Sequence, residues 1–364
     1  MRRKMLLSLL VVPALMGVLL AAAPPETASE RSAAIAPSDD PISAFADRVR
    51  VGPPERYRNL VLYPIYADAP KVPAVDLTLD EAMARGVLEI TEVDRAQVNR
   101  VRVRNLGKDP VFIMGGEMIS GAKQDRIAGD DVIVPAGGKL VIPVFCVEHG
   151  RWVAQTDTFK SASFMAGSAV RRARAAADQS AVWESVAGEQ ERLSAPSATG
   201  SLRSVQESEE VQEKVKPYQR AFVDLPEKHP RARGVVACAG GRIIAADLFG
   251  SRVLFQDLWP KLLDSYVIDA LDREEERRGV DAVHIKRWLD GVKRASRTPK
   301  DTPGSGSLYE LRGGGVLGSA LVYQGGIVHM ELFRALSVPE PIYGRLEFRR
   351  ERLQGEEAPE LEVE

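Results

Sequence analysis

Five short strand-like runs, at residues 87–93, 99–105, 110–115, 131–135 and 139–148, follow one another with turn-forming residues between several of them. Asn105-Leu106-Gly107-Lys108-Asp109 and Ala136-Gly137-Gly138 have the length and composition of hairpin connections. Runs this short, this closely spaced, leave no room for long helices and predict an antiparallel sheet or sandwich over roughly residues 58–155. Asn59–Tyr66 (NLVLYPIY) adds a strand ahead of them. Thr78 and Glu81 stand at capping-box spacing, so a short helix starts there and stops at Gly86.

The pattern changes to helix from about Ser161. Ala-rich, charged stretches break at Ser194–Gly200 (SAPSATG) and end at Pro217. Gly234–Asp247 reads as a hairpin turning at Gly240-Gly241, and Leu317–Phe333 as another turning at Gly325-Gly326. Pro260 is expected in the first turn of a helix. Ile285, Trp288, Leu289 and Val292 mark a further helix, and Thr298–Ser307 a flexible loop. The expected fold class is α+β. A β-rich part (56–160) is followed by a helical insertion (161–217) and a mixed α/β part with hairpins (218–353).

The ends differ in character. Met1-Arg2-Arg3-Lys4 followed by the apolar Met5–Ala23 reads as a signal peptide or an uncleaved membrane anchor. This implies export to a periplasmic or extracellular location, with any membrane attachment through that segment alone. Residues 24–55 carry six prolines among Ala, Ser and charges, as a disordered linker would. The tail 354–364 carries five glutamates and is expected to be solvated. Among 364 residues, Lys plus Arg number 49 and Asp plus Glu 51, a balance that argues against nucleic-acid binding. Two cysteines, Cys146 and Cys238, read as buried thiols, with a disulfide as the alternative.

Residues 115–126, GGEMISGAKQDR, hold the densest chemistry. Gly115, Gly116 and Gly121 permit close backbone approach. Glu117, Lys123, Gln124, Asp125 and Arg126 supply both charges and an amide, a set able to hold a polar ligand. A second cluster, Cys146-Val147-Glu148-His149-Gly150-Arg151-Trp152, ends a strand whose apolar row includes Cys146. Arg151 fits either a structural pair with Glu148 or Glu117, or an anion site with Lys123 and Arg126. Zinc spacings, a G-x-S-x-G elbow and a Walker A motif are missing from the sequence, and Gly313-x-Gly315-x-x-Gly318 precedes strand-like residues rather than a helix. No metal and no cofactor are therefore expected. His329, alternating with apolar neighbours in IVHMELF, reads as a satisfied core or rim histidine.

The ordered segments LVLYPIY, LTLDEAMARGVLEITEV, VRVRNLGKDPVFIMGGEMISGAKQDR, DVIVPAGGKLVIPVFCVEHGRW, GGRIIAADLF and GGVLGSALVYQGGIVHMELF resemble a bacterial family over most of residues 58–335. It is the ARG and Rhodanese-Phosphatase-superfamily-associated protein (ARPP) domain. Its motif positions here are Glu117, Lys123, Gln124, Arg126, Cys146, Glu148, Arg151 and Trp152. The sequence departs from the family pattern at Asp125 and His149, where asparagine and glutamine are expected. The family name implies, by association, a link to NAD or ADP-ribose metabolism. Two functions are expected. In the first, Lys123, Gln124, Arg126 and Arg151 bind a phosphate- or ribose-bearing small molecule, with Glu117 or Glu148 as general base. In the second, the chain is a non-catalytic cell-envelope domain that binds a protein partner, and the motif charges close into internal ion pairs.

Overall fold

The computed structural model describes residues 40–68, 75–93, 98–151, 156–271, 273 and 280–335. The expected signal segment, the acidic tail and Trp152 lie outside these residues, as do the linker residues before Asp40. In chain order the elements begin with α1 (Pro41–Asp47), β1 (Val49–Val51), β2 (Glu55–Tyr57), β3 (Leu60–Ala67), β4 (Leu77–Thr78), α2 (Leu79–Ala84) and β5 (Leu88–Glu92). Then come β6 (Arg100–Asn105), β7 (Val111–Ile113), β8 (Glu117–Gly121), β9 (Arg126–Ala128), β10 (Val132–Val134), β11 (Lys139–Cys146) and β12 (Thr158–Met165). Helices α3 (Ser168–Ala175), α4 (Gln179–Arg192), α5 (Arg203–Glu207), α6 (Glu209–Phe222) and α7 (Leu225–Lys228) follow. The chain continues through β13 (Ala232–Ala239), β14 (Arg242–Phe249), α8 (Arg252–Leu271), α9 (Ala282–Leu289) and a 3₁₀ turn, Asp290–Arg294. It closes with β15 (Ser296–Lys300), β16 (Ser307–Gly313), β17 (Val316–Tyr323) and β18 (Gly326–Arg334).

The class is α+β, but the β-rich half is a closed barrel rather than a sandwich. Its strand order is β11-β6-β5-β12-β8-β9, and a separate small sheet, β10-β7-β4, packs into the same core. Alternation does the work: Leu88, Ile90, Val101, Val103, Ile119, Ile142 and Val144 bury one side of each strand in a common core. β3 does not join this barrel. It pairs with β13 inside a nine-stranded sheet running β1-β3-β13-β14-β18-β17-β16-β15, with β2 also on β3. That sheet is covered on both faces. Leu60 and Leu62 face the core shared with α6 and α8, while Val61, Tyr63 and Ile65 face the core shared with α1 and α9. Burial on both faces explains why NLVLYPIY is continuously apolar rather than alternating.

Several local expectations hold. Thr78 and Glu81 form both bonds of the capping box, and Gly240 and Gly241 take φ of 53° and 70° in the β13–β14 turn. Others are corrected. The linker expected over 24–55 ends by Asp40, because α1 buries Ile42 and Phe45 against the large sheet. Pro217 does not end its helix, and Pro260 lies in mid-helix rather than a first turn. In each case buried residues on both sides, Val215 with Tyr218 and Trp259 with Leu262, hold the helix across a missing hydrogen bond. The last hairpin turns at Gln324-Gly325, one residue earlier than expected, both with positive φ. Pairing of β15 with β16 shortens the loop expected over Thr298–Ser307 to 301–306. Cys146 and Cys238 are free, buried thiols.

Candidate functional site

GGEMISGAKQDR is not a loop. It is the β8–β9 hairpin of the barrel, with Met118 opposite Ile127 and Ile119 opposite Arg126. Its glycines make room for other side chains. A Cβ on Gly115 would lie 2.6 Å from Arg174 Nη1, and one on Gly116, whose φ is +95°, would lie 2.9 Å from Arg171 Cγ. Both arginines come from α3.

The motif charges separate into three groups. Glu117 is 1% exposed. Its Oε1 accepts from Lys261 of α8 and its Oε2 from the Met114 amide at 2.7 Å. Lys261 also lies 3.0 Å from Asp80. Burial raises the Glu117 carboxyl above its ordinary range, against the pull of Lys261. Arg126 is fully buried and forked onto Glu92, with Nη1–Oε2 at 3.0 Å and Nη2–Oε1 at 2.8 Å. Its guanidinium lies 5.0 Å from the Phe159 ring centre, and the backbone amide of half-buried Lys123 points at the same Glu92 carboxylate, 3.5 Å away.

The third group joins the two motifs. Gln124 donates to the Glu148 carbonyl at 2.9 Å, and the Asp125 amide donates to Glu148 Oε2 at 3.1 Å. The same Oε2 takes Arg151 Nε at 2.8 Å, and Oε1 takes the Thr199 hydroxyl at 2.8 Å. Arg151 reaches on to the Ala122 carbonyl at 2.8 Å and to Asp125 at 3.4 Å. Arg203 closes the cluster on Asp125 at 3.5 Å. Burial pushes Glu148 up, but the bonds from Arg151, the Asp125 amide and Thr199 outweigh it and hold the carboxyl below its ordinary value. Burial raises Asp125, with Arg203 opposing, and also raises the Cys146 thiol, with Arg126 opposing. A protonated, buried Cys146 fits a core side chain better than a nucleophile.

A larger ionic cluster was not singled out in the sequence. Arg171 Nε donates to Glu331 at 2.9 Å, and its Nη2 also meets Asp247. Arg174 bonds Glu331 and the Gly129 carbonyl, the latter at 2.6 Å. His329 bridges Asp131 at 2.7 Å and Asp247 at 3.2 Å, and Tyr266 donates to Asp247. The Asp131 carboxylate then accepts from the Gly115 amide at 2.9 Å, tying the cluster to the motif. Burial lowers His329, yet the two aspartates win and hold its pKa at about 9. The signal for this cluster was present. Arg171 and Arg174 stand at i, i+3 on one helix face, and His329 and Glu331 alternate within an otherwise apolar strand.

The family model for the ARG and Rhodanese-Phosphatase-superfamily-associated Protein domain, ARPP-1, matches residues 48–333. The chain belongs to this family. The ARPP-1 match begins one residue before β1 and ends one residue before the last of β18, so it spans the large sheet and encloses the barrel. No curated protein and no solved structure matches the chain.

Among the described residues of the ARPP-1 domain, two concavities stand out. One, of about 640 Å³, is an open groove between β1 and α9, bearing Arg50, Lys286, Arg287 and Arg294 against Asp290. Val283, 66% exposed, stands on its edge. The other, of about 290 Å³, lies beside Cys146. Neither is lined by Glu117, Lys123, Gln124, Arg126, Glu148 or Arg151. Among the described residues no group of three His, Cys, Asp or Glu side chains is placed to hold a metal ion.

Proposed function

We propose that this ARPP-1 chain is an exported, non-catalytic domain that binds a protein partner through an acidic segment. The observation that carries the reading is the state of the two carboxylates considered as general bases. Each oxygen of Glu117 and of Glu148 already accepts a hydrogen bond from a group of the same chain. A base must reach a substrate proton, and these would first have to abandon buried partners. Arg126 is likewise held by Glu92, so a phosphate would have to displace a bidentate, buried pair.

The β1–α9 groove supports an acidic occupant. Four cations face one acid there, on a chain whose net charge is −2. Among the described residues, Lys286 and Arg50 are held by partly exposed pairs with Asp290 and Asp68, which exchange partners at little cost. Val283 offers an apolar anchor beside them. Export rests on the N-terminal sequence, Met1–Ala23, which would tether the domain if it is not cleaved.

The test is fluorescence anisotropy of a labelled peptide of alternating Glu and Leu, titrated with the full chain. Saturable binding is expected, weakening as salt rises and lost in Arg287→Glu/Arg294→Glu. Binding unchanged by that double reversal contradicts the reading. Binding in trans that strengthens only when the tail glutamates at 356, 357, 360, 362 and 364 are changed to Gln would make the chain's own tail the competing occupant of the same groove.

A further inference from the structure

We infer that one end of the barrel docks on a membrane surface carrying anionic lipid. Two turns meet at that end. Asn105 closes the β6–β7 turn: its Nδ2 meets the carbonyls of Asp109, Val134 and Pro135 at 2.8, 3.2 and 3.1 Å, and its Oδ1 accepts from the Gly107 amide at 2.9 Å. The β10–β11 turn is bound to it, with the Asn105 amide donating to the Gly138 carbonyl at 2.9 Å and the Gly137 amide to the Gly107 carbonyl at 3.3 Å. This tip holds Leu106 out at 45% exposure, with exposed Ala136 on the companion turn. Cations surround the pair. Lys139 stands opposite Arg104 across β11 and β6, so both side chains share the outer face of the barrel. Exposed Lys108 lies in the turn itself. Arg102 and Arg100 extend the row along β6, alternating with Val101 and Val103 of the barrel core. The acids of these strands and turns are Glu89, 3.7 Å from Arg104 with both side chains more than half exposed, Asp109, and Glu92, which is turned to Arg126.

The combination selects the partner. A small anion needs a concavity, and neither the β1–α9 groove nor the cleft beside Cys146 is lined by these residues. Nucleic acid would match the cations but leave Leu106 in water. An anionic bilayer takes both, with Arg and Lys at the headgroup phosphates and an apolar side chain at the acyl boundary just beneath. The chain's net charge of −2 gives no general attraction to such a surface, so any contact must be local. Residues 24–40 span at most about 60 Å when fully extended. An uncleaved Met1–Ala23 segment would therefore keep the tip within reach of the bilayer and add to it a second, reversible contact.

The experiment mixes the full chain with vesicles of phosphatidylglycerol and phosphatidylcholine, or of phosphatidylcholine alone. An N-hydroxysuccinimide ester then acetylates exposed lysines, and each is followed by mass spectrometry. This reads the docked surface whether or not the N-terminal segment also inserts. On anionic vesicles the acetylation of Lys108 and Lys139 is expected to slow about fivefold and to recover at high salt. Phosphatidylcholine alone and inorganic phosphate are expected to leave both rates unchanged, and Lys286, in the groove, to react at one rate throughout. Leu106→Ser/Arg104→Glu changes only exposed side chains, so its melting temperature should match wild type while the protection of Lys139 is lost. The inference fails if Lys108 and Lys139 react equally on both kinds of vesicle, if their protection survives the double variant, or if Lys286 is protected in their place. A single-stranded oligonucleotide that protects them where anionic vesicles do not also overturns it.

Discussion

The buried cluster under α3 and the groove between β1 and α9 use the same chemistry to opposite ends. In the first, Arg171, Arg174 and protonated His329 face Asp131, Asp247 and Glu331, all of them buried. In the second, the side chains of Arg50 and Lys286 are 60% and 37% exposed. Charges taken out of water must be matched when the chain folds, and once matched they cannot be surrendered to a ligand without a large penalty. Charges left half in water are weakly held and can exchange a surface acid for a partner's. Arginines and acids in one motif therefore do not mark a binding site. Their solvation decides which side of this comparison they fall on, and Glu117, Arg126 and Glu148 fall on the buried side.

The comparison breaks most visibly at Arg171. Replacing it with Met leaves Asp247 and Glu331 short of a buried cation, and stability is expected to drop by about 3–5 kcal/mol in urea melts; a change below about 1 kcal/mol would remove the cluster from the account. The next largest effect is in pH. His329 is raised from 6.5 to about 9 in the folded state. Its contribution is therefore full below pH 6.5 and is lost as pH rises through 9. The shift corresponds to about 3 kcal/mol. Melting temperature should fall across this window, and the fall should be much smaller in His329→Phe. A third test concerns the motif itself. Gly116→Ala forces a Cβ onto Arg171 at positive φ and should cost about 1–3 kcal/mol. The smallest effect belongs to the groove: Arg287→Glu/Arg294→Glu should leave stability within about 0.5 kcal/mol while abolishing capture of the acidic peptide.

Local structure was the part most readable in the sequence. Three barrel strands, β5, β6 and β11, appear as strand-like runs, α2 as a capping box, and the β13–β14 turn as Gly240-Gly241, whereas β8 and β9 were not read as strands and β12 (Thr158–Met165) runs into the helix expected from Ser161. Each element that was read is set by residues only a few positions apart. What could not be read depends on partners far along the chain. NLVLYPIY is plainly a strand, but nothing local says that it pairs with β13 rather than with the barrel. Pro217 and Pro260 look like breaks until the buried side chains on both sides of them are known. The two motifs were expected to lie together, and Gln124 and Asp125 do meet Glu148 and Arg151. Glu117 instead turns to Lys261 and Arg126 to Glu92, and neither partner was visible from the motif. The doubled glycine was read as a permissive backbone. It is a seat for Arg171 and Arg174 of α3.

The central claim is that GGEMISGAKQDR and CVEHGR hold the fold together rather than a ligand. The most direct test is thermal unfolding of the wild-type chain, Glu117→Gln and Arg126→Ala, each alone and with millimolar ADP-ribose or inorganic phosphate. The account predicts that Arg126→Ala is less stable by about 2–4 kcal/mol and that neither compound raises any of the three melting temperatures. A rise in the wild-type chain that vanishes in both variants, with both as stable as wild type, would contradict it.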